Sequence, residues 1–547
     1  DLLAFPLAGG QGTLILIDEV LMFAREKIGL DPVWRHRLVD FFQYLTQAVT
    51  KVDRATIVAS LLATDPRKSD TLGKEITQEL YAVFRREREE GVQPVVKDDV
   101  AEVLRRRFFT SESIRDREAF RPHVVAALQG VKDLDETTRK DSKAAEDRFL
   151  KSYPFHPDLT DVFYSKWTNL EGFQRTRGIL RTFAMSLRDA EKWDTSAVMG
   201  PMAFLTSEGG TGLSEAAREL ASIAATEEYE GKRQEWGGIL EGELDKAKAI
   251  QVENAGLRHR EIEQAVFATF LHSQPIGQKA HTRDLFVLLG PGRPDRIELE
   301  KGLRRWTEIS WFLDEGTMVE AEESAASATA KELPKAWRLG SKPNLRQMHN
   351  DACLRVSPDL IEAKLRDEIS RLKSLAIGAA AAGARVHNLP AKPSDIEDDG
   401  EFHYAVLGPK AASESGKPSV EAKRFLEETT GPDRPRVHRN AVVLAVPSRD
   451  GLDIARSRIR EYLGWEEVAG FPEAKHFDEL RKSLLTVYLD QAKKKIPEAI
   501  AQACCIVVAV SASNEVQAFK VTIGPDPLFI TIKNDPRARI QDTPVSA

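Results

Sequence analysis

Cysteine is scarce in this chain. Its three copies, Cys353, Cys504 and Cys505, have neither metal-ligand spacing nor the pattern of a disulfide framework. That excludes a small cystine-stapled domain and fits a reducing cytoplasm. No apolar run is long enough to span a membrane, and no segment reads as a signal peptide, so no membrane association is expected. A basic excess is also missing. The net charge is −7, so nothing global announces nucleic acid, although local basic patches stay open. No internal repeat is evident. What remains is a chain of 547 residues, long enough for several cores. Three or four domains are expected, at ~150 residues each.

The most informative segment is Thr13-Leu14-Ile15-Leu16-Ile17-Asp18-Glu19-Val20. A short apolar run after Gly12 suits a buried parallel strand. It places Asp18 and Glu19 at the strand's carboxyl end, the edge where open α/β sheets bind ligands. One carboxylate there can hold Mg²⁺ through water while its neighbour orients or deprotonates an attacking water. That is the Walker B arrangement of P-loop ATPases. The same octapeptide also reads as an ordinary core strand ending in two solvated acids. Its companion, a G-x-x-x-x-G-K-[ST] phosphate loop, is absent. Gly9-Gly10-Gln11-Gly12 and Gly209-Gly210-Thr211-Gly212 lack the Lys, and Gly416-Lys417 runs into Pro418. The chain is expected to be a fragment whose phosphate loop lay upstream.

Val33 to Val49 has helical apolar spacing, and Thr56 to Ala63 reads as a second buried strand closed by Thr64-Asp65-Pro66. The order strand–helix–strand suits a doubly wound sheet. Thr64 and Asp65 then stand where a γ-phosphate sensor would, or form a plain turn. Asp98 to Phe109 reads as a helix ending in Arg105-Arg106-Arg107-Phe108-Phe109. Those arginines suit a helix cap or an arginine finger. Tyr153-Pro154-Phe155-His156-Pro157-Asp158-Leu159 opens a helix, with His156 a packed or capping residue rather than a ligand. The segment Gln174-Arg175-Thr176-Arg177-Gly178-Ile179-Leu180-Arg181 starts another, with Ile179, Leu180, Phe183 and Leu187 as its apolar face.

Residues 260–315 read as three short helices, with Trp311-Phe312-Leu313 as a wing strand, which suits a winged-helix domain. Its basic residues are diluted by acids, so duplex DNA is one possible partner among others. Glu320 to Lys331 and residues 390–402 read as exposed insertions or loops. Asn440 to Pro447 reads as a buried strand, Leu452 to Leu463 as a helix ending at Trp465, and Phe477 to Lys495 as a further helix. Cys505 to Ser511, Ala518 to Ile523 and Leu528 to Ile532 read as strands.

Taken in order, the Asp18-Glu19 strand, the Arg-Arg-Arg-Phe-Phe helix end, the Tyr-Pro-Phe-His-Pro-Asp-Leu segment and the Gln-Arg-Thr-Arg-Gly-Ile-Leu-Arg helix resemble a known group. It is the large bacterial AAA+-type ATPases grouped as domain of unknown function four-nine-nine, which look related to the ATPases of the BREX and phage-growth-limitation systems. The resemblance covers roughly residues 1–350 and extends more weakly to 440–470.

The resemblance implies α/β plus all-α architecture. Residues 1–150 would be the later part of a P-loop core, 151–255 a helical lid and 256–340 a winged-helix-like domain. Residues 341–400 would be a helical connector and linker, and 401–547 a C-terminal α/β region. It implies ATP and Mg²⁺ as cofactors, with Asp18 the metal carboxylate and Glu19 the water-activating base. Thr64 or Asp65 would be the sensor, Arg177 the lid arginine with Arg175 as fallback, and Arg107 the finger. Implied partners are DNA methyltransferase or helicase subunits, duplex DNA and a homo-oligomer. The resulting expectation is a cytoplasmic motor or switch in phage defence or DNA modification and restriction. The competing expectation is a nucleotide-free scaffold that organises such partners. A third, a nuclease or other hydrolase in 390–547, would draw on Asp398, Asp399, Glu401 and Glu421.

Overall fold

The structure, a computed structural model, describes residues 2–60, 71–85, 96–170, 172–229, 232–326, 333–511 and 513–534. It is a mixed α/β chain, mostly helical, with small sheets. It divides into two units, Asp1–Lys342 and Pro343–Ala547. Among the described residues no helix is long and apolar enough to cross a membrane.

The first unit opens with a small α/β module. Strand β1 (Thr13–Ile17) pairs in parallel with β2 (Ala55–Ala59), from Thr13 opposite Ala55 to Ile17 opposite Ala59. Helices α1 (Val20–Leu30) and α2 (Trp34–Thr50) connect them, and α3 (Thr71–Arg85) follows. A core of its own joins Val20, Leu21 and Ala24 of α1, Leu38 and Phe42 of α2, and Ile76 and Leu80 of α3, with Ile17 and Ala59 packed on it. The order strand–helix–strand is as expected, but two-sided burial is not. Leu14, Leu16 and Val58 are 62%, 70% and 53% exposed. Alternate strand side chains point to opposite faces, and helices cover only one.

Among the described residues of the first unit, twelve α-helices follow β1–α3. Beyond α3 these are α4 (Val100–Phe108), α5 (Arg121–Leu134), α6 (Glu136–Lys140), α7 (Ser142–Ser152), α8 (Pro157–Ser165), α9 (Arg175–Ala190), α10 (Glu215–Ile223) and α11 (Trp236–Glu253). A short hairpin of β3 (Glu228–Tyr229) and β4 (Lys232–Arg233) precedes α11. Then come α12 (Glu261–His272), β5 (Ala280–His281), α13 (Thr282–Leu289), α14 (Arg296–Ile309), α15 (Glu315–Ala326) and β6 (Ala336–Trp337). Every residue of α12 is buried. A helix enclosed on all sides needs partners for its polar groups. Glu261 accepts from Gln251 Nε2 and from the backbone N–H groups of Arg258 and His259, while Glu263 pairs with Arg260. Around α12 and its own Phe270 lie Phe155, Phe163, Trp167, Phe183 and Phe204, with ring centroids 5.2–5.8 Å apart for the closest neighbours. Each such pair contributes about 0.5–1.5 kcal/mol beyond its area.

Strand β5 pairs antiparallel with β6, and Leu313 forms a single bridge to Leu339. So Trp311-Phe312-Leu313 is not a full strand. Residues 320–326, read as an exposed insertion, instead continue helix α15.

The second unit holds α16 (Leu345–Arg355), α17 (Pro358–Arg371), β7 (Arg385–Asn388), β8 (His403–Val406), α18 (Val420–Glu427), β9 (Glu428–Gly431), β10 (Arg434–Pro435), β11 (Val442–Val446), α19 (Arg449–Gly470), α20 (Glu479–Ala503), β12 (Ile506–Val510), β13 (Val516–Lys520) and α21 (Leu528–Asn534). The connector expected over 341–400 falls within this unit, because β7 is an edge strand of its sheet. Sheet order is β13-β12-β11-β8-β7, with β7, β8 and β11 parallel and β12 and β13 antiparallel. Every residue of β8, β11 and β12 is buried. One face packs on α17, α19, α20 and α21, the other on Phe425 and Leu426 of α18 and on Ile396.

Two readings are corrected here. Leu528 to Ile532 is a helix, since Leu528, Phe529 and Ile532 are buried at helical spacing. Helix α19 continues past Trp465 to Gly470. The 390–402 loop is largely exposed, as expected, and is tied down at one side. The Arg436 guanidinium, itself 3% exposed, donates to the carbonyls of Pro393, Ile396 and Glu397.

Candidate functional site

At the carboxyl end of β1 the ladder continues one residue further: Ser60 N–H donates to Ile17 O at 2.8 Å, and Val20 N–H to Ser60 O at 3.4 Å. Asp18 and Glu19 lie in this junction, both exposed. Asp18 Oδ1 accepts from Glu19 N–H at 2.9 Å. Glu19 has φ +54 and caps α1. A non-glycine residue in the left-handed region carries a cost of about 1–3 kcal/mol, which the surrounding structure must impose. The result is two adjacent carboxylates at the carboxyl ends of parallel strands, immediately before a helix. Thr64 and Asp65, the sensor candidates, lie outside the described residues.

The glycine segment Gly9–Gly12 sits at the other end of β1. Five residues of strand separate it from Asp18, about 16 Å at ~3.3 Å per residue. A Cβ at Gly12 would meet Arg54 O at 2.8 Å, so this glycine serves a close backbone approach to the β2 entry. It cannot cradle phosphates beside Asp18. The carboxylate half of a Mg²⁺–nucleotide site fits this junction. No phosphate cradle accompanies it among the described residues. Nor does any group of three or more His, Cys, Asp or Glu there suit a metal ion held by protein alone.

The expected arginines lie on the larger helical core. The three at the end of α4 have separate fates. Arg105 is buried, donates to the carbonyls of Lys151 and Tyr153, and pairs with Glu102. Arg106 also pairs with Glu102, and Arg107 is exposed without an ion pair to a described residue. Hydrogen bonds from Arg105 and Arg106 hold the Glu102 carboxyl at about 2, below the usual carboxylate range. Arg175 and Arg177 are exposed on the first turn of α9, and Arg175 has φ +44. Asp18 and Glu19 stand at the edge of the small β1–α3 module, and among the described residues no hydrogen bond or ion pair joins them to Arg107, Arg175 or Arg177.

His156 is a packed capping residue, as expected. It is fully buried; Nδ1 accepts from Asp158 N–H and Nε2–H donates to Val287 O. Burial keeps it neutral by pushing its pKa down. In 256–340 the order is α12–β5–α13–α14–Leu313–α15–β6. The cations on α14 are paired along their own helix: Arg296 and Arg304 with Glu300, Lys301 with Glu298, and Arg305 with Glu308. That leaves little unopposed charge for a phosphate backbone.

The four candidate acids of 390–547 are likewise engaged. Asp398 accepts from the N–H groups of Val437 and His438, Asp399 from His403, and Glu401 and Glu421 pair with Arg385 and Arg424. Sequence reasoning missed Glu243, which is fully buried yet accepts from Trp306 Nε1, Ser310 Oγ and Trp311 N–H and pairs with Lys246. Its spacing to Lys246 was visible; its tryptophan partners, over sixty residues on, were not. No protein-family model, curated protein or solved structure matches the chain.

Proposed function

We propose that this chain carries part of an AAA+-type ATPase, the motor or switch of a bacterial phage-defence or DNA modification and restriction system. The observation supporting it is the Asp18–Glu19 junction: paired exposed carboxylates at the carboxyl ends of parallel strands, in a strained turn leading into a helix. In this reading Asp18 holds Mg²⁺ through water and Glu19 orients the attacking water. ATP and Mg²⁺ are the cofactors, and the phosphate cradle comes from residues other than those described. Arg107 serves as the finger, Arg177 as the lid arginine with Arg175 beside it, and Thr64 or Asp65 as the sensor. Residues 151–255 act as lid and 256–340 as a winged-helix-like domain, the latter supported by its order of helix, strand, two helices and a closing strand, with α15 inserted before that strand. Methyltransferase or helicase subunits in the cytoplasm are the partners, with duplex DNA or a second copy as further ones. The self-paired charges of α14 favour a protein partner for that helix.

This chain alone is expected to be inactive, so the test is ATP hydrolysis by the full-length gene product, with and without duplex DNA, beside Glu19→Gln. Hydrolysis that falls at least ~100-fold in the variant while ATP binding persists is the expected result. No hydrolysis under any of these conditions overturns the reading. A nucleotide-free scaffold for DNA-modifying partners then takes its place, a reading favoured by the position of Gly9–Gly12 at the wrong end of β1.

A further inference from the structure

In the second unit, three titratable side chains form a chain of hydrogen bonds that no step of the proposed function uses. His403, 1% exposed at the start of β8, lies between Asp399 and His387. Its Nε2 is 2.9 Å from Asp399 Oδ1, and its Nδ1 is 3.0 Å from His387 Nε2. A carboxylate only accepts, so His403 carries its proton on Nε2. Its Nδ1 is then a lone pair and must accept from His387 Nε2–H. That leaves Nδ1 of His387, a half-buried residue of edge strand β7, as the open end.

The proton count limits this arrangement. One added proton goes to His387 Nδ1 and every hydrogen bond survives. A second must go to His403 Nδ1, where His387 Nε2–H already points. Two N–H groups then face each other, and two cations lie side by side. We propose that Asp399, His403 and His387 form a one-proton latch that holds edge strand β7 in the sheet and releases it when both imidazoles are charged.

The surroundings define the direction of the switch. Arg385 of β7 pairs with Glu397, Asp399 and Glu401, and Arg436 and His438 flank the same loop. Burial, then His403, then the two arginines push His387 below the usual imidazole range, with Glu397 opposing. Asp399 is held at about 2, chiefly by the His403 hydrogen bond, so it stays ionised as His387 gains its proton. The released strand therefore binds more protons than the docked one. Docking is complete above the ordinary imidazole range; the proton on His387 leaves it intact, and it is lost as pH falls far enough for a second proton to enter the pair. Backbone bonds from Arg385 N–H to Phe402 O and from Leu389 N–H to Val406 O, 2.8 and 2.9 Å, report the docking.

The experiment is amide hydrogen exchange across Arg385–Leu389, referenced to β11, with ¹⁵N imidazole spectra of the same protein. Between about pH 7.5 and pH 5, protection of the Arg385 and Leu389 amides should fall about tenfold or more relative to β11, after correction for intrinsic rates. The spectra should show both rings as Nε2–H tautomers at the higher pH. His387→Gln keeps a donor toward His403 but does not titrate, and should retain β7 protection at both pH values. Equal protection of wild-type β7 at both pH values overturns the latch. So does an Nδ1–H tautomer at His403, or an acid-dependent loss that persists in His387→Gln.

Discussion

The β1–β2 pair and the five-stranded sheet of the second unit are built from similar sequence: Thr-Leu-Ile-Leu-Ile and Ala-Thr-Ile-Val-Ala against Val-Val-Leu-Ala-Val and Ile-Val-Val-Ala-Val. Their environments differ completely. Strands β11 and β12 are buried on both faces, between α17, α19, α20 and α21 on one side and α18 on the other. Strands β1 and β2 bury only alternate residues, leaving Leu14, Leu16 and Val58 outward. A continuous apolar run therefore marks a strand suited to two-sided burial, while the layers around it decide whether both sides are used.

The comparison can be broken most directly by truncation on each sheet. Leu444→Ala in β11, fully buried, should lower unfolding free energy by about 2–5 kcal/mol. Leu16→Ala in β1 should stay within about 0.5 kcal/mol. Urea unfolding curves for the two variants check this, and equal costs would remove the distinction. A smaller effect is expected where a loop roofs the buried sheet. Arg436→Met strips donors from the carbonyls of Pro393, Ile396 and Glu397 and should cost roughly 2–3 kcal/mol. Faster proteolysis within 390–402 would accompany it. The smallest effect sharpens the other side. Leu16→Lys should change stability by no more than about 0.5 kcal/mol, since its side chain faces water. A loss above about 2 kcal/mol on the same measurement would mean that this face is covered by a further layer.

Much of the framework was legible residue by residue. The periodicity of Val33 to Val49 marked α2, the apolar run before Asp18 marked β1, and His156 between two prolines marked a cap. Arg105, Arg106 and Arg107 looked equivalent in sequence, yet Arg105 is buried and paired with Glu102, Arg106 is exposed and paired with it, and Arg107 is exposed without an ion pair to a described residue. Their sorting depends on where the Lys151 and Tyr153 carbonyls arrive. Leu528 to Ile532 misled because a five-residue apolar run suits strand and helix alike until its neighbours are placed. The Asp399–His403–His387 chain had no signal at all. His387 and His403 meet because β7 and β8 pair in parallel, with Arg385 opposite His403.

The sequence by itself determined which segments are apolar, where helices start, and that two carboxylates end the first strand. These follow from side-chain hydropathy and local backbone preference, which act over a few residues. Tertiary structure alone decided which strand faces are covered, which arginine is a staple and which is exposed, and which acids and imidazoles share protons. Those outcomes depend on burial and on hydrogen bonds between residues distant in the chain, and no local pattern encodes them.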